Sequence, residues 1–255
     1  MEKKNRMSNW LKYTILGVGV LVVGLVLLLS LVFVVKDVEV NLLKTSNSLS
    51  NEQIESIVSE TNVAPMGQSV FFFDRDKATE KIEKAVPNIK VINLEVLFPN
   101  VISINCEERI PVFAVRLNNS TFNYAVIDDE LKVLDTLSAN NEYINLTFKQ
   151  DVEDMTFDDL QKGDKVIVES ANLLKSFFTT LKEFSLTESV LLNTFTDIEV
   201  YNRHSQNQSY ISLKFYTKVG YTIEMYNISQ EVDKKVNILV NIISNDNISD
   251  DQIIS

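Results

Sequence analysis

The chain has 255 residues, 45% of them hydrophobic, and a formal net charge of −11 at pH 7. This length and composition allow one large domain or two smaller ones, each with a buried core. Acidic residues outnumber basic ones by 35 to 24, which argues against a nucleic-acid partner because phosphate binding needs clustered Lys and Arg.

The first element is an apolar run from Tyr13 to Val35, "YTILGVGVLVVGLVLLLSLVFVV", which contains no charged residue. As a helix, these 23 residues would extend about 34 Å, enough to cross a hydrocarbon core of about 30 Å. A cleaved signal peptide is the alternative, but its apolar part is only about 7 to 15 residues long and ends in a small-residue cleavage site. We therefore predict a transmembrane helix over residues 13–35.

The charges on either side of this run predict its orientation. Before it, the only acidic residue is Glu2, and the basic residues are Lys3, Lys4, Arg6 and Lys12. Because positively charged flanks stay inside, residues 1–12 are predicted to form a cytoplasmic tail of a single-pass type II membrane protein. The acidic exported part is expected to be repelled by anionic lipid.

Residues 36–108 read as strand, helix, helix, strand, strand. The stretch "KDVEVNLL" alternates apolar and polar residues, as a strand does. A first helix is predicted after Ser50, which has capping-box spacing to Gln53. A second begins after Asp74, a good N-cap residue, and stops before Pro87.

The two strands that follow are predicted to bury one face and to meet at a turn formed by Pro99 and Asn100. Pro111 lacks an amide hydrogen, so it should end the ladder and mark a domain boundary. The core-facing residues are predicted to be Ile92, Leu94 and Val96 in the first strand, and Ile102, Ile104 and Cys106 in the second. Cys106, the only cysteine, is interpreted as a small core hydrophobe.

The region 109–245 is predicted to be a mostly antiparallel β domain with flanking helices, which makes the fold class α+β. Helices are expected over residues 166–184 and again near residues 232–243. The predicted strands are "PVFAVRL", "FNYAVID", "LKVLD", "DIEVYN", "SYISLKFYT" and "GYTIEMYN". Residues 246–255 are predicted to form a short polar tail.

Catalytic chemistry has little support in the sequence. The only histidine, His204, lies in the polar stretch "NRHSQNQ" and is interpreted as a loop residue, since no motif of metal-ligand spacing surrounds it. No Gly-rich phosphate loop is present. We predict a protein that is not an enzyme and uses no cofactor, metal or small-molecule substrate.

Three segments together resemble the FtsQ/DivIB family of bacterial cell-division proteins. They are "VKDVEVNLLKTSNSLSNEQI", "GQSVFFFDRDKATEKIEKAVPNIKVINLEVLFPNVISINCEERIPVFAV" and "NYAVIDDELKVLD". The resemblance is specific over residues 36–135 and implies a POTRA domain at residues 36–108, followed by the family's β domain at residues 109–245. The family often has a further strand after the last helix, which we do not assign in this sequence.

The resemblance also implies a function: a non-enzymatic division scaffold at the septum that binds FtsL-like and FtsB/DivIC-like membrane partners and supports septal peptidoglycan synthesis. The alternative is a POTRA-bearing protein-export component. In the family, strands near the carboxyl end bind partners, and an exposed sheet edge can accept a partner strand. The matching candidates are Tyr221, Ile223 and Met225, which could equally be core residues, and the terminal Ile253 and Ile254.

Overall fold

The chain folds into two compact units, Met1–Glu108 and Arg109–Ser255. The structure is a computed structural model that describes residues 9–43, 50–60, 65–118, 121–150, 153–158, 160–205, 208–244 and 252–254. Each unit has its own hydrophobic core.

The first unit is an α+β fold in which two helices cover a three-stranded sheet. Its elements are α1 (Asn9–Val32), β1 (Asp37–Leu42), α2 (Asn51–Glu60), α3 (Arg75–Ala85), β2 (Ile89–Leu97) and β3 (Val101–Glu108). The strand order is β1-β3-β2, with β1 parallel and β2 antiparallel to β3. After α1, this is the order strand, helix, helix, strand, strand expected of a POTRA domain, so the predicted fold is confirmed.

Local side-chain chemistry starts both covering helices where the sequence predicts. The N–H of Ser50 donates to Gln53 Oε1 at 2.9 Å, and the N–H of Gln53 donates to Ser50 Oγ at 3.3 Å. This is the reciprocal pair of a capping box. Asp74 accepts a hydrogen bond from the N–H of Lys77 at 3.1 Å, which caps α3. Both helix starts are confirmed.

Helix α1 ends at Val32, three residues before the end of the apolar run at Val35. The reason is that Val35 does not continue the helix: its side chain is only 2% exposed and lies in the core of the first unit. The last residues of the apolar run are therefore hydrophobic because the folded domain buries them.

One predicted core residue of the first sheet is wrong. Ile92 is 47% exposed, whereas Val91 and Leu94 are buried. The pairing of β2 with β3 shifts register between Val91 and Asn93, and such a bulge reverses the face on which the following side chains lie. The prediction for Cys106 is consistent with its complete burial, which raises the pKa of its thiol to about 11.

The second unit is built on one large sheet with three helices. Its elements are β4 (Phe113–Arg116), β5 (Tyr124–Ile127), β6 (Val133–Leu137), β7 (Ile144–Gln150), β8 (Glu153–Asp154), α4 (Ala171–Glu183), α5 (Glu188–Thr194), β9 (Phe195–Ser205), β10 (Gln208–Thr217), β11 (Thr222–Met225), α6 (Val232–Ser244) and β12 (Gln252–Ile254). The sheet runs in the order β12-β11-β10-β9-β7-β4-β5-β6, and β8 pairs with β7 off this path.

Most strand pairs of this sheet are antiparallel, as predicted, but three are parallel: β4 with β7, β7 with β9, and β11 with β12. Helices α4 and α6 contribute to the core through residues such as Phe177, Phe178 and Leu239. The ring of Phe178 lies 4.6 Å from that of Phe113 in β4. Strands β7, β8 and β12 and helix α5 were not predicted from the sequence.

Candidate protein-binding edge of the second unit

The large sheet has two terminal strands, and the chain itself covers one of them. Beside β6, the N–H of Val133 donates to Asp164 O at 2.9 Å, and the N–H of Gly163 donates to Val133 O at 2.8 Å. The N–H of Val166 donates to Leu131 O at 2.9 Å. These bonds satisfy backbone groups that an edge strand would otherwise offer to another chain.

The other terminal strand, β12, has no strand of the described chain on its outer side. It pairs in parallel with β11, placing Ile253 beside Glu224 and Ile254 beside Met225. The N–H of Tyr226 donates to Ile254 O at 2.8 Å, so the backbone of Ile254 faces β11. Because backbone groups alternate along a strand, those of Ile253 face outward. Among the residues that the structure describes, no strand other than β11 pairs with β12.

The sheet of the first unit protects one of its edges in a second way. In the terminal strand β1, the N–H of Val40 donates to Glu55 Oε1 at 2.9 Å, and the N–H of Leu42 donates to Asn51 Oδ1 at 3.1 Å. Side chains of α2 thus occupy donors that a partner strand would need. Compared with β1 and β6, strand β12 is the better candidate for strand addition.

The partner-binding residues predicted near the carboxyl end lie on two different strands. Ile223 and Met225 are fully buried, and Tyr221 is partly buried just before β11. Since β11 lies between β10 and β12, it is an interior strand and not the edge strand that the sequence suggested. Ile254 is 3% exposed and anchors β12 in the core, whereas Ile253 is 67% exposed. Partner binding at these residues stays a prediction.

A buried lysine, missed in the sequence, supports the end of β11. Lys235 of α6 is 5% exposed, and its Nζ donates to the carbonyl oxygens of Tyr226 at 2.7 Å and Asn227 at 3.1 Å. Burial lowers the pKa of its ammonium group. Because Tyr226 also binds Ile254, Lys235 helps to hold the segment on which β12 docks. Its position three residues after Val232, on the apolar face of α6, is the signal that could have found it.

The predicted topology residues lie at the opposite end of the chain. Lys3, Lys4 and Arg6 are outside the residues that the structure describes, whereas Lys12 is exposed near the start of α1. Within the described chain, one helix, over Lys12–Val32, is long and apolar enough to cross a membrane.

The described residues show no group of three or more His, Cys, Asp or Glu side chains that could hold a metal ion. The prediction that His204 lies in a loop is wrong. It belongs to β9 and pairs with Ser209 of β10, because the long hairpin of these two strands extends through the polar stretch.

Comparison with known proteins identifies the first unit. Residues 34–109 match the family model described as "POTRA domain, FtsQ-type", a segment that contains the whole sheet and both covering helices. No curated protein matches the chain. The FtsQ-type domain and the apolar helix together indicate a single-pass membrane protein with an FtsQ-like role in cell division. The match covers residues 34–109 of the 255-residue chain, and with the apolar helix directly in front of it, it supports a protein similar to the FtsQ/DivIB family.

Proposed function

We propose that the protein is a non-enzymatic scaffold of the bacterial division machinery. It binds FtsL-like and FtsB/DivIC-like membrane partners through its extracytoplasmic units and thereby supports septal peptidoglycan synthesis. The FtsQ-type POTRA match carries this proposal, and it favours division over the alternative of protein export.

The terminal position of β12 in the sheet supports a partner-binding role for the second unit. A partner strand laid along this edge would extend the sheet by main-chain hydrogen bonds to Ile253, while the exposed Ile253 side chain would contribute apolar contact. Beside it, Tyr226 Oη donates to Glu224 Oε2 at 2.7 Å, and Lys214 Nζ lies 3.3 Å from Glu224 Oε1. Glu224 lies on β11, Lys214 on β10, and Tyr226 directly follows β11, so these polar groups lie near the strand to which a partner would dock.

A proline at Ile253 tests this docking mode. Ile253→Pro removes the outward N–H but none of the hydrogen bonds between β12 and β11, since the Ile253 backbone faces away from β11. Leaving a partner carbonyl without its donor should weaken capture of the FtsL-like and FtsB/DivIC-like partners about tenfold or more. The measurement is a binding titration of the purified full chain with the partner complex.

The matched control is Ile253→Ser, which keeps the outward N–H and removes only the exposed apolar side chain. Its affinity should lie much closer to that of the unmodified chain. Both variants should retain the thermal unfolding midpoint of the unmodified chain. A folded Ile253→Pro protein that captures the partners with unchanged affinity would rule out strand addition at β12.

The proposal includes an orientation and a location. With Lys3, Lys4, Arg6 and Lys12 inside, a fluorescent protein fused to the amino terminus should survive protease added outside protoplasts, whereas the region after residue 36 should be degraded. In dividing cells the same fusion should gather at mid-cell. A protected carboxyl-terminal region, or uniform membrane fluorescence during division, would contradict this part of the proposal.

A further inference from the structure

Four phenylalanine side chains form a cluster where α1 ends: three of them are exposed, and Phe33 is partly buried against the core of the first unit. Phe33 follows α1 directly, and its ring centroid lies 5.3 Å from that of Phe71 and 6.2 Å from that of Phe98. Phe71 also contacts Phe98 at 5.8 Å and Phe72 at 6.4 Å. Phe71, Phe72 and Phe98 are 56%, 88% and 66% exposed. This phenyl cluster (Phe33, Phe71, Phe72 and Phe98) is an apolar surface, whereas the neighbouring Phe73 is buried in the core.

Backbone hydrogen bonds tie the cluster to the end of α1. The N–H of Val70 donates to Phe33 O at 3.0 Å, and the N–H of Val35 donates to Gln68 O at 2.9 Å. The N–H of Lys36 donates to Asn100 O at 2.8 Å. The two loops that carry Phe71, Phe72 and Phe98 are thus bonded to the residues that immediately follow α1. No flexible linker separates the cluster from the helix.

The length of α1 sets the depth of the cluster. Its 24 residues extend about 36 Å, slightly more than the hydrocarbon core of about 30 Å. Trp10 and Tyr13, which are exposed at the amino end, are residues that favour the membrane–water interface. With these two rings at one interface, the carboxyl end of α1 reaches the other, and so does the cluster bonded to it.

We propose that the phenyl cluster inserts into the boundary between headgroups and acyl chains of the leaflet from which α1 emerges, so that the POTRA domain rests on the membrane. Lipid is the occupant that the geometry favours, since the membrane borders the end of α1 in every molecule. Exposed aromatic rings suit this boundary, and the charges close to them in sequence offset one another, since Asp37 follows Lys36 and Arg75 lies between Asp74 and Asp76. This contact is local and does not require the acidic chain as a whole to be attracted to anionic lipid.

Fluorescence of a single tryptophan tests the contact in the full chain. The only tryptophan is removed by Trp10→Phe, and Phe72→Trp or Phe98→Trp then places a reporter in the cluster. The control is Leu43→Trp: Leu43 is 61% exposed and lies past the end of β1, about 20 Å along the strand from Lys36. Each protein is reconstituted in phosphatidylcholine vesicles that contain a lipid with a spin label high on its acyl chain.

The labelled lipid should strongly quench both cluster reporters and leave the Leu43→Trp reporter nearly unquenched, with its emission that of a tryptophan in water. Equal, weak quenching of all three reporters would overturn the proposal. Cluster reporters that are shielded from aqueous acrylamide yet not quenched by the labelled lipid would also overturn it, since protein would then cover the cluster.

Discussion

Replacing Arg109 with alanine should lower the free energy of unfolding of the second unit by about 3–5 kcal/mol. The side chains of Arg109 and Asp128 are 4% and 1% exposed, and Arg109 Nη1 lies 2.5 Å from Asp128 Oδ2 and 2.8 Å from Glu130 Oε2. Truncating Arg109 leaves the Asp128 carboxylate buried without this cation. Asp128 Oδ1 also accepts the N–H groups of Glu130 at 3.0 Å and Lys132 at 2.8 Å, so it organises the turn between β5 and β6.

The matched control is Arg116→Ala. Arg116 ends β4 with an exposed side chain, so its loss should change the free energy of unfolding by no more than about 0.5 kcal/mol. Urea denaturation of the full chain in detergent, with hydrogen exchange of amides in the second unit, measures both variants. If the two variants had equal free energies of unfolding, the buried Arg109–Asp128 pair would not stabilise the second unit more than an exposed arginine does.

The loss in free energy of unfolding that Arg109→Ala causes should depend on pH. Burial raises the pKa of Asp128 above its ordinary value, while the Arg109 guanidinium lowers it; removing the guanidinium raises the pKa further. A carboxyl group whose folded-state pKa exceeds its unfolded value favours folding below the unfolded pKa and loses that contribution as the pH rises through the folded pKa. The free energies of unfolding of the variant and the unmodified chain should therefore differ least at acidic pH and most at neutral pH. A deficit that is constant with pH would contradict this account.

The first unit could be predicted because its determinants are local in sequence. Ser50 and Gln53 form their capping pair within one helical turn, and Asp74 caps its helix over three residues. Alternation identified the buried face of β3. In β2 the same alternation gave the wrong face for Ile92. A bulge adds a residue to one strand only, and a strict alternation of apolar and polar residues cannot reveal it.

The second unit was harder because its sheet depends on distant pairings. Leu146 in β7 pairs with Ile198 in β9, and Phe113 in β4 pairs with Ile144, so these strands meet only after long connections. A pattern within each strand says nothing about its neighbour. The role of Arg109 was equally unreadable, since an arginine in "EERIP" resembles a surface residue until the fold places Asp128 against it.

Of the candidate residues near the carboxyl end, Tyr221, Ile223 and Met225 were assigned to an edge strand, but the fold makes β11 an interior strand, whereas Ile253 and Ile254 lie on the terminal strand β12. Residues Thr222–Met225 alternate over only four positions, and an interior strand and an edge strand share that pattern. Strand β12 has three residues within a polar tail, too few to show a period. The pairing of β12 with β11 depends on burial of Ile254. This burial can be seen only in the folded chain, where β12 lies beside β11 after α6.

Removing residues 252–255 should abolish capture of the FtsL-like and FtsB/DivIC-like partners. The truncation deletes β12 and the outward backbone groups of Ile253, and it uncovers β11 at Ile223 and Met225. Loss of the nearly fully buried Ile254 should also cost about 2–3 kcal/mol of stability. Binding is measured by titration of the full chain in detergent, and stability by urea denaturation.

The matched control is Ile254→Ala, which loses much of the same burial but keeps the backbone of β12. It should be destabilised by about 2 kcal/mol and, in conditions where it is folded, still capture the partners. Loss of binding in the truncated chain alone would then assign docking to the β12 edge. Tighter binding by the truncated chain would reverse this assignment: the partner would pair with β11, beside Tyr221, Ile223 and Met225, and β12 would be a cover that the partner must displace.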